Sequence, residues 1–90
     1  MKNGKRLVGR YICIDYSFSS KGSKVGVTAS SKYGKAPVRN RFKRLVRESY
    51  RQNLDKLPPN LELHVLPRFL AKQAQKQDIE KEMLALVSQI

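Results

Sequence analysis

Ninety residues imply one domain with a thin core, because a chain this short buries only about 60–65% of its unfolded surface. The lone cysteine, Cys13, excludes an internal disulfide and a cysteine-rich zinc site, and no apolar run is long enough for a secretion signal or a membrane span, so a cytoplasmic protein with no membrane association is expected. A formal net charge of +12, from 19 Lys+Arg against 7 Asp+Glu, directs attention to polyanionic partners.

Residues 1–9 are basic and end in Gly9, a lead-in to the first strand. Ile12, Ile14 and Tyr16 then alternate with Tyr11, Cys13 and Asp15, the period-two pattern of a half-buried strand over residues 11–16, where Cys13 serves as a small apolar residue. Residues 17–23 are rich in serine and read as a turn or loop. Val25, Val27 and Ala29 alternate with Lys24, Gly26, Thr28 and Ser30 to give a second strand. Its polar face, with Lys24, Thr28 and Ser30, suits either RNA or plain solvent.

A basic loop over residues 31–35, with Lys32, Gly34 and Lys35, leads to Pro37 at a helix start, where the missing N–H costs nothing. The helix over residues 36–53 has an apolar stripe of Val38, Phe42, Leu45, Val46, Ser49 and Tyr50 within about 140° of one another. It must end before Pro58-Pro59, near Leu54. Leu61, Leu63 and Val65 mark a third strand closed by Pro67. A last helix is expected from Asp78, as N-cap, to Ile90, with a stripe of Ile79, Met83, Leu86, Val87 and Ile90 and with Glu80 and Glu82 at the positive end of its dipole. Strand, strand, helix, strand, helix is an α+β order, with helices covering one face of a small mixed sheet.

The charge is unevenly divided. Residues 1–51 hold 14 basic and 2 acidic side chains, a net of +12, whereas residues 52–90 hold 5 of each and are neutral. On the first helix Lys43, Arg47, Asn40, Arg51 and Arg44 fill the sector opposite the apolar stripe, flanked by Arg39 and Arg41. Solvated helix faces usually interleave signs, yet residues 32–51 carry eight basic side chains and one acid, Glu48, at like-charge spacings that cost a few tenths of a kcal/mol each. A polyanion relieves that repulsion, and a helix of this length, about 27 Å, can follow several phosphates. Arginines donate two parallel N–H bonds to phosphate or stack on bases, lysine acts as a point charge, and Asn40 can read a 2′-hydroxyl or base edge. An anionic membrane fits less well, since the helix lacks a Trp/Phe-rich apolar face.

Catalytic readings find little support. His64 stands alone within a probable strand and reads as structural, Gly22-Ser23-Lys24 lacks phosphate-loop spacing, and no carboxylate pair or metal cluster is apparent.

The run Lys24-Val25-Gly26-Val27-Thr28-Ala29-Ser30-Ser31-Lys32-Tyr33-Gly34-Lys35-Ala36-Pro37-Val38-Arg39-Asn40-Arg41-Phe42-Lys43-Arg44-Leu45-Val46-Arg47-Glu48 closely resembles the signature of the bacterial ribonuclease P protein subunit, and the Lys2–Arg6 lead-in agrees. The resemblance covers essentially the whole chain. It implies that family's α+β fold, shared with the second domain of a small-subunit ribosomal protein, including a left-handed crossover between parallel strands against the usual rule. It implies a ribonucleoprotein that removes the 5′ leader from precursor tRNA, with catalysis by the RNA subunit using magnesium, no cofactor on the protein and no further protein partner. Arg39, Asn40, Arg41, Lys43, Arg44 and Arg47, with Arg51, Lys32 and Lys35, would contact the catalytic RNA. Lys24, Thr28 and Ser30 would face the RNA or the leader.

Three departures from the family pattern are expected to matter. The chain starts just after the position of the family's first helix, whose two phenylalanines wall the leader cleft. Asp15 stands where relatives can carry a leader-facing tyrosine, and its carboxylate would repel phosphate. Ser31 replaces one of a pair of basic loop residues. The competing classes are a structural RNA-binding module, such as a small ribosomal protein, and a DNA-binding helix. Magnesium dependence of precursor cleavage separates the first, and DNA competition the second.

Overall fold

The computed structural model describes residues 5–90. The chain runs β1 (Lys5–Val8), β2 (Ile12–Phe18), β3 (Lys24–Val27), α1 (Ala36–Gln52), β4 (Leu61–Pro67) and α2 (Lys76–Val87). Short 3-10 turns at Leu54–Lys56 and Phe69–Gln73 follow α1 and β4. The four strands form one mixed sheet in the order β1-β2-β4-β3, antiparallel except for the β3–β4 pair. The parallel pair is joined through α1, as a parallel connection requires.

Both helices pack on one face of this sheet. Ile12 and Ile14 of β2 and Leu61, Leu63 and Val65 of β4 meet Phe42 and Val46 of α1 and Ile79, Met83, Leu86 and Val87 of α2, and all are buried. The alternation that marks β4 in the sequence thus follows from burial on one side only. By register, the opposite face carries Arg6, Asp15, His64 and Gly26 in one cross-strand row, and Val8, Cys13 and Leu66 in the next. No described helix covers that face.

Several boundaries differ from the sequence expectation, and β3, expected to run to Ser30, stops at Val27. Lys5–Val8 is a strand, too short and too charged to show alternation, and it is held as an edge by pairing with β2. β2 extends to Phe18, so Ser17 and Phe18, expected in a loop, pair with Glu62 and Leu61. α1 stops at Gln52, because the buried Asn53 side chain donates to Ser49 O at 2.8 Å and its N–H donates to Tyr50 O at 3.2 Å, closing the last turn. In α2, Gln75 is the N-cap and Asp78 lies three residues inside, accepting the Gln75 N–H at 2.9 Å, as in a capping box. Ile90, expected in the apolar stripe of α2, lies beyond the helix and is exposed.

The turn between β1 and β2 is anchored from α2. The Glu82 carboxylate accepts the N–H of Tyr11 at 2.6 Å, that of Ile12 at 3.0 Å, and that of Arg10. Gly9 makes this approach possible, since a Cβ there would lie 2.9 Å from Glu82 Cγ. Arg68 closes the same turn by donating to Gly9 O at 2.6 Å.

Candidate nucleic-acid interface

α1 presents its charges because its other face is fully occupied. Phe42 is 1% exposed and lies 5.7 Å from the Tyr33 ring, centroid to centroid, while Val46 and Ser49 complete the buried side. With that side fixed, helical geometry turns Asn40, Arg44, Arg47 and Arg51 outward, and all four are exposed. Lys43 is half-buried on the flank. Among the described residues, the side chains of Lys43, Arg44, Arg47 and Arg51 make no hydrogen bond or ion pair.

Arg41 and Arg39 differ from these. A guanidinium nitrogen of Arg41 donates to Ala74 O at 2.9 Å, tying α1 to the segment before α2. Arg39 is half-buried, and its Nε is shielded from solvent with no hydrogen-bond partner among the described residues. A buried unpaired donor costs free energy, and an acceptor supplied by a partner removes that cost. Burial pushes the Tyr33 phenol above its ordinary pKa, and the nearby Arg41 opposes the shift.

Of the remaining sequence-predicted residues, Thr28, Ser30 and Lys32 gather just past the end of β3, and Lys24 and Lys35 lie apart from them. Lys24, Thr28, Ser30, Lys32 and Lys35 are all exposed. Thr28, Ser30 and Lys32 line an open hollow of about 260 Å³ with Tyr33, Leu66, Pro67 and Phe69. The Thr28 hydroxyl is engaged with His64, Oγ1 to Nε2 at 2.7 Å. Lys24 stands at the far end of β3, opposite Glu62. The loop carrying Lys32 and Lys35 connects this group to the start of α1.

Two features escaped the sequence reading. Phe69, 75% exposed, lines the hollow, and the Lys72 ammonium sits 4.6 Å from its ring centroid and 5.4 Å from that of Tyr33. Both residues lie in the charge-neutral half of the chain, where an isolated Phe and Lys carry no pattern. The second is Arg6, whose guanidinium holds the Asp15 carboxylate through two bonds of 2.6 and 2.9 Å. That partner holds the Asp15 carboxyl below the usual carboxylate range and raises Arg6. The expected repulsion of phosphate by Asp15 is therefore offset by the cation bound to it.

Among the described residues no three His, Cys, Asp or Glu side chains gather as a metal site, and no described helix is long and apolar enough to cross a membrane. The molecule is a small α+β domain that exposes an arginine-lined helix and a hydroxyl- and lysine-lined sheet end. Comparison with known proteins is specific: the sequence matches the Ribonuclease P family over residues 1–90. It is 39% identical over 89 residues to the ribonuclease P protein component of Clostridioides difficile, covering 96% of this chain and 77% of that one. Against that of Finegoldia magna it is 30% identical, covering 92% and 74%. The solved structure of the RNase P protein from Thermotoga maritima superposes with a TM-score of 0.90 at 29% identity, covering 99% of this chain and 86% of that one. The Staphylococcus aureus RNase P protein shares the fold, with a TM-score of 0.84 at 21% identity over 97% of this chain and 81% of that one. The chain belongs to the bacterial ribonuclease P protein family.

Proposed function

We propose that the chain binds the RNA subunit of ribonuclease P through the outward face of α1, and that the RNA, using magnesium ions, performs the cleavage that removes the 5′ leader from precursor tRNA. The observation that carries this reading is the set of unengaged cations on α1, in a chain of this family. Arg44, Arg47 and Arg51 supply bidentate donors to phosphates, Lys43 adds a point charge, and Asn40 meets a 2′-hydroxyl or a base edge. Arg39 and Arg41 flank this surface near the start of α1, and Lys35 and Lys32 extend it along the loop. The hollow beside Thr28, Ser30 and Lys32, with Lys24 farther along β3, suits a single strand such as the leader. An exposed aromatic ring and a cation are the usual means of holding one.

In this reading the protein contributes no catalytic group, takes no cofactor of its own, needs no other protein partner and works in the cytoplasm. Its contribution to rate is electrostatic, because cations placed near closely approaching phosphates lower the magnesium needed to hold them together. Reconstitution with the cognate RNA tests it. The protein is expected to lower the magnesium concentration at which precursor tRNA is cleaved. Undiminished RNA binding with an unchanged magnesium requirement would overturn it.

A further inference from the structure

The C-terminal end of α1 carries a hollow that lies apart from the sheet-end group. It measures about 280 Å³ and is lined by Val25 of β3, by Arg47, Tyr50 and Arg51 of α1, and by Leu54 of the following turn. Its composition is unusual for plain surface. Val25 and Tyr50 are half-buried and pack against the core, and Leu54 is 49% exposed, so the floor and one wall are apolar and aromatic. Arg47 and Arg51 at the rim are exposed and have no hydrogen bond or ion pair among the described residues, although the acids Glu48 and Asp55 are close in sequence. Phosphate contacts alone would need only the rim, and an apolar ligand only the floor.

An aromatic and apolar recess flanked by two unpaired guanidinium groups matches one chemical unit, a nucleotide whose base lies on the recess while its phosphates meet the rim. At about 280 Å³ the hollow falls just below the range for drug-sized ligand sites, about 300–1,000 Å³, which suits a single base better than a larger group. We infer that this hollow receives an unpaired nucleotide of the RNA bound along α1, with its base against Tyr50, Leu54 and Val25 and its flanking phosphates on Arg47 and Arg51. The inference rests on the RNA-binding reading above and adds a base-holding site to an otherwise electrostatic surface. A paired base is stacked on its neighbours and cannot enter the recess, so the ligand is a bulged or loop nucleotide.

Stacking does not release counterions, and this separates it from the phosphate contacts. Tyr50→Leu keeps an apolar side chain for the core but removes the aromatic face, and Tyr50→Phe keeps both. Binding of the RNase P RNA is measured across a salt series, with chemical probing of the unpaired nucleotides. Tyr50→Leu is expected to weaken binding about tenfold at every salt concentration with an unchanged slope. It should also expose one short unpaired segment that the unaltered protein and Tyr50→Phe protect. Melting temperatures of both variants establish that they fold, and Leu54→Ser, at an exposed position, gives a second route to the same loss. Equal affinities and identical protection for all these proteins would overturn the nucleotide site while leaving RNA binding standing. Failure of the unaltered protein to bind the RNA would instead overturn the reading on which the site rests.

Discussion

The two helices lie on the same face of the same sheet, yet they use their charges in opposite ways. In α2 three of the five charged side chains, Lys76, Asp78 and Glu82, are engaged with the protein itself. Asp78 caps Gln75, Glu82 holds three consecutive backbone N–H groups of the β1–β2 turn, and Lys76 donates to the Gln52 side chain at 2.6 Å. In α1, only Arg41 of the basic residues donates to another part of the described chain. A helix whose charges are satisfied internally is a structural brace. One that holds a row of like charges without partners is destabilised by them, and gains free energy when an anion arrives. α1 thus holds six basic side chains against the single acid Glu48, and the fold engages only Arg41 among them.

The comparison breaks most visibly at the inner face of α1, where function has no part. Phe42 is the largest fully buried side chain and packs against Tyr33. Phe42→Ala is expected to cost roughly 3–5 kcal/mol of stability. A protein of this size has about 5–15 kcal/mol in total, so the variant should be partly unfolded at physiological temperature. Urea denaturation followed by circular dichroism measures this. A loss below about 1 kcal/mol would mean that the basic face, not the core, orients α1.

Next in size is the brace formed by α2. Glu82→Gln keeps the length of the side chain but replaces one acceptor oxygen with an NH₂ that faces backbone donors. A cost of about 1–3 kcal/mol is expected, as for a polar group left unpaired in a part-buried turn. Glu80→Gln, two residues earlier and without a partner among the described residues, should stay within about 0.5 kcal/mol. Equal effects would show that net charge, and not the turn anchor, is what α2 contributes.

How far the sequence foretold this arrangement depends on whether a signal was local. Phe42, Val46 and the β4 alternation are periodic within one element, and the structure buries them as that period requires. The outward row of Asn40, Arg44, Arg47 and Arg51 follows from the same helical geometry. What stayed hidden depends on contacts across the chain. Lys5–Val8 is a strand only because β2 pairs with it, and Glu82 is an anchor only because residues 70 to 72 positions away fold beneath it. Asp15 looked like a repulsive charge because its partner Arg6 is a neighbour by strand register, nine residues distant in sequence. The pairing of Lys72 with Phe69 and Tyr33 is likewise tertiary, and no spacing announces it.

The smallest effect on the protein is the one that bears most directly on function. Arg47 is exposed and unengaged, so Arg47→Ala should leave the melting temperature nearly unchanged. Its loss should weaken binding of the RNase P RNA roughly five- to tenfold at about 0.15 M salt, and reduce the slope of log affinity against log salt by about 0.7–0.9, the contribution of one phosphate contact. Lys81→Ala on α2 removes the same unit charge from an exposed position and is expected to change neither quantity appreciably. The pair of variants matters more than either alone. If charge acted through the field of the whole protein, both would weaken binding alike, because each lowers the net charge by one. A difference confined to Arg47 requires that the RNA lie along α1, which is what distinguishes a docking helix from a merely basic protein.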